Sequence, residues 1–408
     1  MIINFYFLNI LLLISFFNPL ISILFIVVLL TFKTWFHSEN WNNFNLKVNK
    51  LKAIEIIFLL SMLIILFLLL SIKININWII FILEIQTFIV FGSCFILSEN
   101  DIKIKTVEGG LNYIPVAFIS FIVFLLFIIT LLIIKNESYN IEYLISMIIL
   151  ISISIKLGVF PFQIWVPNVI EKLSYSSIIL VSILGKIFII IVIVFYININ
   201  SKLTLINGFI SILIASIFMV NQIQIKNFIA YSGIANIGWI LIVISLIEMN
   251  ENLSNKNLDV LFIFFFLYAT SFILLIINLI KSKGNHIYKL YKKINGDKRT
   301  LLLYIGILIA LISMAGIPPL AGFIGKFIVI KFIIENNISI SIVIIAITLL
   351  FTFCYTRPII LLFKGNKINN LFLHEKIIFN NKKITLYKPW IEWSNLIGIS
   401  FIITYIYV

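Results

Sequence analysis

Apolar stretches of about 20 residues, each long enough to cross the hydrocarbon core of a bilayer, recur along the whole of this 408-residue chain. No other feature narrows the possible folds as far. Inside lipid the backbone must satisfy its own hydrogen bonds, so only helices and closed barrels can span. A barrel would show short segments of alternating polarity, whereas the runs here are continuous. Hydrophobic residues make up 62% and charged residues 11% of the chain, with a mean hydropathy of +1.18; an average soluble domain is about a quarter charged. The expected fold is an all-α polytopic membrane protein.

About twelve spans are expected. They lie near Ile2–Leu30, Ala53–Ile72, Trp78–Leu97, Ile114–Ile134, Ile141–Phe160, Ser174–Ile197, Leu203–Val220, Phe228–Ile247, Val260–Ile280, Leu301–Ile334, Ile338–Phe363 and Ser394–Val408. Threading them puts the segments 31–52, 98–113, 161–173, 221–227, 281–300 and 364–393 on one side, and these hold most of the 30 lysines and arginines. Lys73, Lys135, Lys202 and Lys256 fall on the other side. Base-composition bias explains abundant Ile, Phe, Asn and Lys, but it does not sort lysines by loop parity. The asymmetry is the positive-inside pattern. It places the long basic loops in the matrix or cytoplasm and both termini on the opposite face.

The formal charge of +14 does not indicate nucleic-acid binding, which needs a basic face on a folded domain; no soluble stretch here is long enough to form one. Cys94 and Cys354 have no pairing or metal-ligand spacing, and His37, His286 and His374 are scattered. No haem, zinc or iron–sulfur ligand set emerges. The N-terminal stretch lacks a basic n-region and an Arg-rich presequence, so it reads as a first membrane helix. Together with the composition, this fits an organelle-encoded inner-membrane protein.

Two spans are interrupted. One runs into Gly158-Val159-Phe160-Pro161-Phe162, and another contains Gly316-Ile317-Pro318-Pro319-Leu320-Ala321-Gly322. Proline removes a helical hydrogen bond, and backbone freed at membrane depth persists only beside protein or a polar cavity. Breaks an odd number of helices apart, in halves entering the membrane in opposite senses, are the pattern of inverted-repeat transporters. The expected organisation is an N-terminal helix with a basic loop (1–52), a first five-helix repeat (53–200), a second (201–363), and a loop with a last helix (364–408).

Ionisable groups inside spans are expensive and mark ion pathways. Glu84, Lys156, Lys186 and Lys326 are four such groups. A carboxylate at that depth needs a cation nearby, so Glu84 is expected to pair with Lys156 or Lys186. Lysine, unlike arginine, can exchange its proton, which suits a relay. Lys331 lies nearer a span end, and Arg357 is placed for snorkelling or lipid-phosphate contact.

Three segments carry a family resemblance: Lys156–Pro167 (KLGVFPFQIWVP), Gln222–Leu241 (QIQIKNFIAYSGIANIGWIL) and Ser313–Phe327 (SMAGIPPLAGFIGKF). In this collinear order the chain resembles the antiporter-like membrane subunits of respiratory NADH:ubiquinone oxidoreductase (complex I), a family shared with Mrp-type cation/proton antiporters. The KLG-x-x-PF and GIPPLAGF-x-x-K forms resemble its subunit 2 group. The resemblance implies proton-pathway roles for Glu84, Lys156, Lys186 and Lys326. It implies no cofactor in this chain, with NADH, FMN, iron–sulfur clusters and ubiquinone bound by other subunits. The implied partners are other membrane-arm subunits, including a neighbouring antiporter-like one, and phospholipids such as cardiolipin. Asn236 stands where many relatives have histidine. The implied function is proton translocation across the mitochondrial inner membrane, coupled to electron transfer from NADH to ubiquinone. The alternatives are a free-standing cation/proton antiporter and a structural subunit that no longer pumps.

Overall fold

Among the described residues of the computed structural model the regular elements are helices, and they follow the hydrophobic pattern closely. Residues 83–87, 90–92, 103–133, 139–196, 200–249, 255–282, 298–318 and 320–363 are described. The expected spans Ile2–Leu30, Ala53–Ile72 and Ser394–Val408, and most of Trp78–Leu97, lie outside the described residues.

From residue 103 onward the order is α1 (Lys103–Ile133), α2 (Tyr139–Leu157), α3 (Trp165–Lys172) and α4 (Tyr175–Ile179), followed by a π-helical turn (Leu180–Leu184) that leads into α5 (Gly185–Tyr196). Next come α6 (Ser201–Val220), α7 (Ile225–Met249), α8 (Asn255–Ser282), α9 (Lys298–Ala315), α10 (Ala321–Asn336) and α11 (Ile338–Phe363). Among the described residues six helices are long and apolar enough to cross a membrane, and Ile145–Leu157 and Ile305–Ala315 are shorter apolar helices. Residues 98–113 were expected to be a loop, yet α1 already begins at Lys103. The reason is tertiary: Gly109 lets α1 pack against Lys172 and Leu173, and exposed Glu108 accepts a hydrogen bond from Lys172 at 2.6 Å.

Polar residues set the helix starts. Ser174 precedes α4 and its hydroxyl accepts from Ser177 N at 3.4 Å. Asn200 precedes α6 and its side-chain oxygen accepts from Lys202 N at 3.2 Å. Asn337 does the same for Ser339 N at 3.1 Å at the start of α11. Each satisfies a donor that the first helical turn leaves open.

Both helix breaks use one backbone device. Gly158 (φ 66°) follows α2 and Gly316 (φ 80°) follows α9, each in the left-handed region. Val159 N donates to Ser154 O at 3.1 Å and Ile317 N to Ile312 O at 3.2 Å, while each glycine N–H bonds three residues back. This is the Schellman termination. The chain then turns through Phe160-Pro161, a cis peptide, or Ile317-Pro318 before α3 or α10 begins.

The centre of the bundle is formed by α4, the π turn and α5 together with α7. In both of these spans 94% of the membrane window is buried, against 22% for α1 and 33% for α11. α7 runs along α6, and α3, α8 and α10 also contact it. Gly208 and Gly238 allow the close approach of α6 and α7: a Cβ on Gly208 would stand 2.9 Å from Gly238 O. Small residues at such crossings let backbones meet in lipid, where the hydrophobic effect does not drive helices together. The outer helices present apolar rows, such as Leu111, Phe118, Ile122, Leu126 and Ile129 on α1.

Candidate functional site

All four charged residues singled out by sequence are buried, none more than 8% exposed. Each is held in a different way. Lys156, in the last turn of α2, forms an ion pair with Glu84. Of the two partners expected for Glu84, the structure selects Lys156. Thr87 Oγ1 lies 3.3 Å from Glu84 Oε2 and donates to Glu84 O at 2.7 Å. The Lys156 ammonium also sits 5.1 Å above the Phe124 ring centroid, an attraction that strengthens away from water.

Lys186 is the second residue of α5, directly after the π turn. Such turns disturb the regular ladder and often occur at functional sites. Here Gly185 O accepts a hydrogen bond from Gln86 Nε2 at 2.7 Å, which ties the Glu84 segment to the helix of Lys186. Lys186 is 3% exposed and has no ion-pair or hydrogen-bond partner among the described residues.

Lys326 lies on α10, beyond the second break. Its Nζ donates to Ala315 O at 2.6 Å and Met314 O at 3.1 Å. These are final carbonyls of α9, the negative end of that helix. The Phe351 ring lies 4.3 Å away. Gly316 is required here twice over, by its positive φ and because a Cβ would come 2.7 Å from Lys326 Cδ. Gly322 N donates to Ser313 Oγ at 3.2 Å and closes the junction.

Between α7, α8, α9 and α10 is a small void lined by Asn236, Tyr268, Ser271, Ser313, Gly325 and Lys326. Its volume of about 10 Å³ is room for roughly one water. Asn236 therefore faces the surroundings of Lys326. Lys331 and Arg357 are exposed. The Arg357 guanidinium donates to Val220 O, capping α6, so it is a helix-end contact at the periphery.

Sequence reasoning missed three groups. Lys226 was placed in a loop but is buried at the start of α7, where it donates to Leu173 O and lies 5.1 Å from the Tyr175 ring. Tyr268 and Tyr355 are buried aromatic residues whose hydroxyls enter the same interior. In sequence they are two tyrosines among 15, with nothing to separate them from packing residues.

Residues 106–352 match the family described as NADH:quinone oxidoreductase/Mrp antiporter, transmembrane. The chain belongs to this family. Among its relatives are NADH-ubiquinone oxidoreductase chain 2 of Oryzorictes hova, 33% identical over 224 residues, and that of Sylvisorex granti, 34% identical over 214 residues. In both cases the alignment covers 52% of this chain and 58% of the relative. The chain thus spans less than two thirds of the curated relatives it matches. The fold is similar to a chain of respiratory complex I from Thermus thermophilus with bound aureothin (TM-score 0.55, 16% identity, 69% of this chain and 64% of that one). It is also similar to a chain of the Mrp complex from Dietzia sp. DQ12-45-1b (TM-score 0.56, 16% identity, 70% of this chain and 55% of that one). The chain is an antiporter-like multi-pass membrane protein of this family.

Proposed function

We propose that this chain is the subunit-2-type component of the membrane arm of respiratory complex I in the mitochondrial inner membrane. It contributes to proton translocation coupled to electron transfer from NADH to ubiquinone. The observation that carries this reading is the set of three buried lysines with distinct holds. One is neutralised by Glu84, one has no described partner, and one is held by helix-end carbonyls. A purely structural subunit has no need for three buried amines, because unpaired charge in lipid is costly. An amine that gains and loses a proton is favoured by each of these environments in turn.

On this proposal the redox groups and ubiquinone are bound by other subunits. The long basic loops face the matrix and both termini the intermembrane space. Neighbouring membrane-arm subunits, one of them antiporter-like, and phospholipids such as cardiolipin cover the apolar outer helices. Glu84, Lys156, Lys186 and Lys326 form the proton pathway in this chain. Lys186→Met in the assembled complex tests it: the number of protons moved per electron falls while assembly persists. An unchanged ratio would sink the pumping role.

The fold similarity to the Mrp complex chain supports a second reading, a cation/proton antiporter outside complex I. Solubilised membranes separate the two. Co-migration with NADH-oxidising subunits supports the first, and migration apart from them supports the second.

A further inference from the structure

Lys186 and Lys326 stand on different helices, and Asn236, which lines the void at Lys326, is a poor link between them. Asn236 gives its amide N–H to Ser232 O at 2.9 Å, and a side-chain amide, unlike an amine or a hydroxyl, does not take up and pass on a proton near neutral pH. Tyr268 borders the surroundings of both lysines. Tyr268 on α8 is 5% exposed and its hydroxyl has no hydrogen-bond partner among the described residues. Its ring is held between Phe265 and Phe272, with centroids 6.2 and 5.7 Å away. A Cβ on Gly233 would lie 3.4 Å from that hydroxyl and 3.9 Å from Lys186 Nζ. The two polar atoms therefore face one gap beside Gly233, narrow enough for one or two waters to bridge. Tyr268 also lines the void that Lys326 and Ser271 line. A buried hydroxyl without a partner is destabilising, and phenylalanine would fill the same ring space without one.

We propose that the Tyr268 hydroxyl is the relay group that passes protons between Lys186 and Lys326, with water in the Gly233 gap and in the void at Lys326. This rests on the proton-translocation reading above. The Lys186 ammonium gives a proton to bridging water, which gives one to a lone pair of the Tyr268 oxygen. The hydroxyl's own proton moves on through water to the neutral Lys326 amine. One N–H bond breaks at Lys186 and one forms at Lys326. The hydroxyl then rotates back unchanged, so no oxidant or reductant is needed.

Two variants of the assembled complex test the relay in its own membrane. Tyr268→Phe keeps the ring and removes only the hydroxyl. Gly233→Ala puts a methyl into the gap at ordinary contact distance, displacing water without moving its neighbours. Positioned proton-transfer groups contribute about 10²–10⁴-fold, and water bypassing the hydroxyl recovers part of that. Turnover is expected to fall by about tenfold in both, with a larger solvent isotope effect and normal assembly. Wild-type turnover, proton ratio and isotope effect in both variants overturn the relay if Lys186→Met is impaired. If Lys186→Met also pumps normally, the translocation reading falls too. Slower turnover with an unchanged isotope effect is a packing defect and also overturns the relay. Should Tyr268→Phe fail to assemble, Gly233→Ala decides by the same readouts.

Discussion

Lys156 and Lys326 both border a helix break, yet the protein holds them by different means. A carboxylate holds the first, and two backbone carbonyls with an aromatic face hold the second. The difference has measurable consequences. Glu84→Gln leaves the Lys156 ammonium buried without its counter-ion, a loss of about 3–5 kcal/mol for such pairs. The amount of assembled complex and its thermal midpoint should both fall, and Glu84→Asp should fall less. At the second break the hold depends on a missing side chain. Gly316→Ala forces a Cβ into the left-handed region, at about 1–2 kcal/mol, and against Lys326 Cδ at 2.7 Å. Gly325→Ala, one residue from Lys326, meets its neighbours at 3.4–3.5 Å and should be tolerated. Equal thermal midpoints for the two variants would show that Gly316 is not a steric requirement.

The helices divide the work among themselves. α2 and α9 end in the same Schellman turn, which stops a helix inside an apolar stretch and leaves its last carbonyls for other donors. At α9 the donor is Lys326. The π turn before α5 is a further interruption, two residues before Lys186. α6 and α7 provide the rigid centre through their glycine contact. Gly238→Val would drive a branched side chain into Ser211 Oγ and Gly208 O, separating the two helices. Little assembled chain should accumulate in the membrane, whereas Ile217→Val, on the exposed side of α6, should accumulate normally. Immunoblots of solubilised membranes would distinguish the two outcomes.

Among the described helices burial is graded, with 94% of the α7 window enclosed and α1 and α11 largely exposed. That gradient suits a subunit set among other membrane helices and lipid. Topology can be checked in intact organelles: on the proposed orientation, a cysteine introduced at Lys289 reacts with an impermeant thiol reagent only after the inner membrane is opened. Reaction before opening would invert the proposed topology, and with it the reading of the basic loops.

Much of this was legible in the amino-acid order. Continuous apolar runs gave the class and the positions of most of the described helices, because lipid leaves helices as the solution for such runs. Gly-Pro pairs marked both breaks, and charge in apolar surroundings picked out Glu84, Lys156, Lys186 and Lys326, since ionisable groups are rare there. The sequence could not say where α1 begins, because that start depends on Gly109 meeting α3 across the bundle. Nor could it assign Glu84 to Lys156 over Lys186, or separate Tyr268 from the other tyrosines. Those outcomes depend on which side chains meet across helices far apart in the chain. Hydropathy and spacing set each helix's existence and depth, whereas rotation and close approach between helices are tertiary quantities. Only the packed bundle decided which buried charge has a partner and which tyrosine borders both the Gly233 gap and the void at Lys326.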